Sequence, residues 1–307
     1  MYALEVKNLS KSFEKVKAVD NISLEIPEGA IFGLLGRNGA GKTTTIRMLM
    51  NIYLPDSGEI ILRGKNMDRS FSRISGYLPE ERGLYKKMKI LDTLLFFAEI
   101  KGKSGKEYEK KAMEYLERFD LAERKDSKIE DLSKGNQQKV QFITTILHDP
   151  DFLVLDEPFS GMDPINTNLL KEIILEKKKE GKVIIFSTHL MDFAEKMCDH
   201  IAIIDQGKIV LKGNLNEIKK EHSRLNVSLD YEGDISFLND HPIIESIADF
   251  GNFTGIRVKE TKNIQELAKL LVDNNVLIKK FNANDITLHE IFVELTGREI
   301  GEVANVK

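Results

Sequence analysis

The chain has 307 residues, 41% hydrophobic and 31% charged, with a formal net charge of −4. That length exceeds one ordinary core and predicts one large domain or two unequal ones. The weak negative balance supplies no basic field for nucleic acid, and a single cysteine, Cys198, excludes an internal disulfide framework. The N-terminal stretch lacks the basic start and continuous apolar core of a signal peptide, and nowhere do about 18 apolar residues run together. The nearest run, Leu91 to Ile100, is short and carries Asp92 and Glu99, so the chain is expected not to span a membrane by itself.

Leu4 to Val6 and Ile22 to Ile26 alternate apolar with polar residues, as strands with one wet face do. Phe13, between them, either packs in a core or offers its ring face to a nucleobase. Ile31 to Leu35 reads as a buried strand that stops at Gly36, passes a glycine-rich turn and resumes as a helix from Lys42 through Leu49. Gly36-x4-Gly41-Lys42-Thr43 is the G-x-x-x-x-G-K-[ST] phosphate-binding loop, set on the strand and helix it requires. Its glycines let successive backbone N–H groups point into one hollow, and the helix adds its own free N–H groups and positive end. Lys42 is expected to reach the β- and γ-phosphates, and the Thr43 hydroxyl to ligate Mg²⁺.

Glu59 to Arg63 and Ile74 to Leu78 read as short strands, the second closed by Pro79 and followed by the charged loop Glu80 to Tyr85. Helical periodicity follows through Ile90, Leu94, Phe97 and Ile100, and again from Lys106 to Phe119 on an exposed amphipathic helix. Leu132 to Gln138 precedes another amphipathic helix, where Ser133 either caps free N–H groups or helps them hold an anion. Phe152 to Leu155 is an apolar strand running into Asp156 and Glu157, the place where parallel sheets bind ligands at their carboxyl ends. Asp156 is placed to hold Mg²⁺ and Glu157 to act as general base on an attacking water. Val183 to Phe186 is a further strand ending in His189, which is either a satisfied polar group or a donor to a γ-phosphate. Ile201 to Asp205 and Ile209 to Leu211 read as strand and strand around Gly207.

By its motifs, the first 215 or so residues resemble the ATP-binding subunits of ABC transporters. Gly36 to Thr44 matches the family's phosphate loop, so Gly36, Asn38, Gly39, Ala40, Gly41, Lys42, Thr43 and Thr44 are expected to bind ATP. Leu132 to Gln138 is similar to its signature segment, Leu153 to Glu157 to its magnesium and base motif, Ser160 to Asp163 to its D-loop, and His189 to its switch histidine. The resemblance puts Phe13 at the adenine-stacking position, and Ser133 and Gly135 at the positions that close on the γ-phosphate from an opposing subunit. Two features depart from the family: Glu80 stands where glutamine is usual, and LSKGN replaces LSGGQ. As a metal-site residue with Thr43 and Asp156, Glu80 would strengthen metal attraction and repel the nucleotide.

The resemblance implies an α/β fold of P-loop NTPase type, with a mixed sheet core and a helical subdomain at about 85–150, in an ATP-binding domain over 1–215. Residues 216–307 are expected to form a small α+β accessory domain, with strands at Leu225 to Tyr231, Ile243 to Ala248, Thr254 to Glu260 and Val276 to Phe281, and helices at Ile264 to Asp273 and Thr287 to Leu295. This tail suggests a ferredoxin-like unit and resembles the extension on ATPase subunits of sodium-efflux and drug-resistance exporters. The function implied is Mg²⁺-dependent ATP hydrolysis by a head-to-tail homodimer, or a heterodimer with a related subunit. It would power a separate transmembrane permease from the cytoplasmic face, with no nucleic acid partner. The alternative is a soluble ATPase of the same type acting on nucleic acid or ribosomes. Such proteins tend to carry two ATPase halves or a long coiled coil, and this sequence has neither a second phosphate loop nor a sustained heptad run. A nucleotide kinase or GTPase would leave the signature-like segment idle.

Overall fold

A computed structural model of the chain describes residues 2–14, 16–68, 70–81, 83–223, 226–283 and 287–297. Two compact units emerge, one of Met1–Leu190 with Met197–Lys212, the other of Met191–Lys196 with Gly213–Lys307. The first opens with an antiparallel hairpin of β1 (Tyr2–Phe13) and β2 (Val16–Pro27). Both strands outrun the alternation that predicted them, because shifts in register between Val6 and Leu9 and again beyond Leu9 reset which face each side chain takes. Next come β3 (Ile31–Leu35) and α1 (Lys42–Leu49), then β4 (Ser57–Leu62) and β5 (Lys65–Asn66), which join the hairpin in a sheet of order β2-β1-β4-β5.

A short α2 (Phe71–Ile74) leads into β6 (Ser75–Leu78). Three helices follow, α3 (Ile90–Ile100), α4 (Lys106–Arg118) and α5 (Lys134–Ile146). They bury one apolar stripe each, including Leu94, Leu116 and Phe142, while the lysines and glutamates of α4 face outward. The chain then runs through β7 (Phe152–Asp156), α6 (Pro164–Lys179), β8 (Val183–Thr188), α7 (Met191–Met197), β9 (His200–Asp205) and β10 (Lys208–Asn214). A six-stranded sheet of order β10-β9-β3-β8-β7-β6 results, with parallel pairing from β9 through to β6. Every residue of β3, β7 and β8 is buried, which is why these strands read as unbroken apolar runs. Their carboxyl ends, at Leu35, Asp156 and Thr188, lie side by side in the register of the ladder.

α6 is a helix that the apolar pattern did not predict. Its signals are nonetheless local: Asp163 caps it by accepting from the Asn166 N–H at 3.0 Å, Pro164 opens its first turn, and Lys177, Lys178 and Lys179 sit in its last. Nor does that pattern mark α8 (Leu215–Ser223), near the start of the longer part of the second unit. There β11 (Asn226–Glu232), β12 (Ile244–Asp249), β13 (Thr254–Val258) and β14 (Leu277–Asn282) form an antiparallel sheet of order β12-β13-β11-β14. Val227, Leu229, Ile256 and Val258 pack on Leu267 and Leu271 of α9 (Asn263–Asp273). The first connection holds only a 3₁₀ turn, Ser236–Leu238, where a ferredoxin-like unit carries a helix. α10 (Leu288–Thr296) ends the described fold behind a capping box of Thr287 and Glu290. The predicted strand residue Leu225 lies outside the described residues.

Candidate functional site

The turn from β3 to α1 needs glycine at two points for reasons of space as well as torsion. Gly36 has φ 150° and a Cβ there would lie 2.2 Å from the Ile204 carbonyl oxygen; Gly41 has φ 109° and a Cβ would lie 2.4 Å from that of Ala18. The loop thus runs against β9 and β2 before α1 begins at Lys42. Lys42 is buried and folds back on its own loop, its Nζ donating to the carbonyls of Gly36 at 2.8 Å and Arg37 at 3.1 Å. The same ammonium lies 3.4 Å from Glu157 Oε1. Asn38, Gly39, Gly41, Lys42, Thr43 and Thr44 line one open cleft with Glu80 and Glu157. Ala40 turns its methyl group into the core instead, while its carbonyl accepts from the Gly207 N–H at 2.9 Å. Ala18 lines the cleft as well, a residue that no sequence signal marks.

The ends of β7 and β8 supply the acidic wall. Asp156 Oδ1 accepts from Ser187 Oγ at 2.5 Å and from Thr43 Oγ1 at 3.2 Å, while its Oδ2 is buried with no hydrogen-bond partner. Burial pushes the Asp156 carboxyl up from its ordinary range, against the pull of the Ser187 and Thr43 hydroxyls. A buried, unpaired carboxylate oxygen beside a threonine hydroxyl fits a small hard cation, since Mg²⁺ takes one or two carboxylates and completes its shell with phosphate oxygens and water. Glu157 holds φ at +47°, a left-handed conformation that a carboxylate residue rarely keeps without support. The support is visible: its N–H donates to Ser187 Oγ at 3.0 Å, and its Oε1 lies 3.0 Å from His189 Nδ1. Glu157 is only 7% exposed. Ser187 was not among the expected site residues, although a hydroxyl at the end of an apolar strand, two residues before His189, was a signal that could have found it.

The remaining expected residues, like Gly36, Asp156 and His189, lie outside the lining of that cleft. Phe13 ends β1 and is 40% exposed, so its reading as a core residue does not hold. Tyr53 packs edge-on against its ring at 5.3 Å, and the Tyr53 hydroxyl accepts from Arg47 at 3.1 Å. Ser133 is exposed and accepts from the Asn136 N–H at 3.3 Å, so the capping reading holds. At Gly135 a Cβ would meet open space. From α5, the Gln138 amide donates to the Pro158 carbonyl and the Gln141 amide to the Glu81 carbonyl, both at 3.2 Å, which ties the signature helix to the loops after β7 and β6.

A family model described as ABC transporter matches residues 19–160, and one described as ATP-binding protein DrrA1-3-like, C-terminal domain, matches residues 213–296. The chain is 42% identical over 294 residues to YhaQ of Bacillus subtilis, an uncharacterized ABC transporter ATP-binding protein, covering 96% of this chain and 98% of that one. It is 32% identical over 302 residues to the Nod factor export ATP-binding protein I of Cupriavidus metallidurans, covering 97% and 98%. Among solved structures, an ATP-binding subunit of an ABC transporter superposes with a TM-score of 0.67 at 33% identity, covering 72% of this chain and 93% of that one. With a phosphate loop, an Asp-Glu strand end and a histidine gathered at the carboxyl ends of neighbouring strands, the chain belongs to the ATP-binding subunits of ABC transporters and is an ATP hydrolase of that family.

Proposed function

We infer that two copies of this chain close on ATP and Mg²⁺ and that their closure drives export through a separately encoded membrane subunit. The observation that carries the chemistry is the convergence of Lys42, Thr43, Asp156, Glu157 and His189 on one cleft and its rim. Lys42 exchanges the carbonyls of Gly36 and Arg37 for β- and γ-phosphate oxygens, while loop N–H groups from Asn38 to Thr44 cradle the chain of phosphates. Thr43 and Asp156 would hold Mg²⁺, which neutralises phosphate charge when bound. Glu157 takes a proton from the attacking water as its oxygen bonds to the γ-phosphorus and the bond to the β-phosphate oxygen breaks. His189 holds the Glu157 carboxylate and faces the γ-phosphate, and Phe13 stacks on adenine.

Ser133, exposed, and Gly135, half-buried, stand at the head of α5 outside the lining of the cleft, and this supports a second copy as the source of the missing wall. The partner copy is this chain or a related ATPase subunit. Residues 1–215 are assigned as the ATP-binding domain, with 85–150 its helical subdomain, and 216–307 as the accessory domain. An exposed aromatic cluster follows the Glu80 loop: Tyr85, 55% exposed, lies 5.6 Å from the Phe96 ring and 6.2 Å from that of Phe97. Such a patch suits a membrane subunit seated there, which would hold the chain on the inner face of the membrane. Among the described residues no helix is long and apolar enough to cross a membrane. Export is favoured by the Nod factor relative and the DrrA-like C-terminal domain.

Glu157→Gln tests the core of this reading. Hydrolysis should fall by about a hundredfold or more while ATP binding persists, and ATP should shift the variant to the mass of a pair in light scattering. Parent-like turnover would remove Glu157 as the base. Recovery of the tagged protein with ribosomes and not with a membrane subunit would replace the export reading.

A further inference from the structure

The loop after β6 puts a negative charge beside the phosphate site. Glu80 lines the same cleft as Lys42, Thr43 and Glu157. Its loop is anchored from α5, where the Gln141 amide, 5% exposed, donates to the carbonyl of the adjacent Glu81 at 3.2 Å and Thr145 Oγ1 donates to the Tyr77 carbonyl at 3.3 Å. The Tyr77 phenol is pushed up to about 12, first by burial, then by Asp156, against the pull of Arg47 and with a smaller push from Glu80. Among the residues lining the cleft, Lys42 is matched by two carboxylates, Glu80 and Glu157, and Asp156 is hydrogen-bonded to Thr43 at its edge. The cleft carries a negative excess before any nucleotide arrives.

We propose that Glu80 makes nucleotide binding depend on a divalent cation: its fixed charge repels a metal-free nucleoside triphosphate and favours the metal-bound form. The inference rests on the cleft being the ATP site. The effect is Coulombic: it needs only the Glu80 charge within the cleft that Lys42, Thr43 and Glu157 line. One such charge pair across a partly wet cleft changes a dissociation constant by about tenfold. A glutamine in this place would leave the cleft one charge less negative and more tolerant of bare nucleotide.

Calorimetric titration of the full chain with the non-hydrolysable imido analogue of ATP, once in excess Mg²⁺ and once in EDTA, tests this. For Glu80→Gln, metal-free binding should tighten by about tenfold, and the ratio of the EDTA to the Mg²⁺ dissociation constant should shrink by about the same factor. Glu80→Ala, neutral and shorter, should move the same way. Glu80→Asp keeps the charge and should keep the parent ratio to within about threefold. The proposal falls if the neutral variants retain the parent ratio, or if Glu80→Asp behaves as they do. Tight binding in Mg²⁺ with an unchanged ratio would sink only the role of Glu80. Absence of binding by the parent in both conditions would sink the ATP-site reading and this inference with it.

Discussion

At Ser187 one hydroxyl serves two neighbours, accepting from the Glu157 N–H and donating to Asp156 Oδ1. Ser187→Ala would leave a buried N–H without an acceptor and Asp156 without its shortest bond, so stability in urea should drop by about 1–3 kcal/mol. Turnover should fall further than the nucleotide dissociation constant rises, because the left-handed backbone of Glu157 loses its tether. His148 makes a different point. Burial, aided by the Lys101 charge, lowers its imidazole from 6.5 to about 4, and its ring nitrogen meets the Ser75 carbonyl at 3.2 Å. The folded chain keeps this ring neutral while the unfolded chain protonates it below its ordinary value. Its contribution is intact above about pH 6.5 and is lost as pH falls towards 4, on the order of 3 kcal/mol in all. His148→Gln should flatten the fall in urea midpoint over that window relative to the parent.

Caps decide where several elements begin. Asp163 opens α6 by accepting from the Asn166 N–H, and Thr287 opens α10 through its reciprocal bonds with Glu290. Asp163→Ala and Thr287→Ala should each cost about 1 kcal/mol, read as a shift in thermal midpoint. The bidentate pair between Arg118 of α4 and Glu176 of α6, at 2.8 Å on both arms, is half exposed and will matter less, within about 1 kcal/mol for Arg118→Met. The caps also show why the sequence reading lost α6. Its buried stripe, Thr167, Leu170, Ile173 and Ile174, is blurred by Ile165 and Leu175, which are apolar yet 81% and 39% exposed, whereas Asp163 and Pro164 mark its start plainly. The twelve-residue strands of the first hairpin failed the same test for the opposite reason, since bulges broke an alternation that was otherwise present.

For the whole molecule, each unit has its own core, one around β3, β7 and β8 and the other between the antiparallel sheet and α9. Bound nucleotide should therefore protect the unit that holds the cleft. At a hundredfold excess over its dissociation constant the gain is about 2.7 kcal/mol, seen in calorimetry as a rise in one transition, while Thr287→Ala lowers the other. The sequence by itself determined the phosphate loop, the Asp156–Glu157 strand end and the strand–loop–helix order, because each depends on neighbours within a few residues and on torsions that glycine alone adopts cheaply. Tertiary structure decided the rest. Ser187 reaches Asp156 only because β7 and β8 pair in register, Gly36 and Gly41 are fixed by the carbonyls of Ile204 and Ala18 far along the chain, and Glu80 shares a cleft with Lys42 only through the tertiary fold. Distances between residues remote in sequence are set by packing, and no local pattern encodes them.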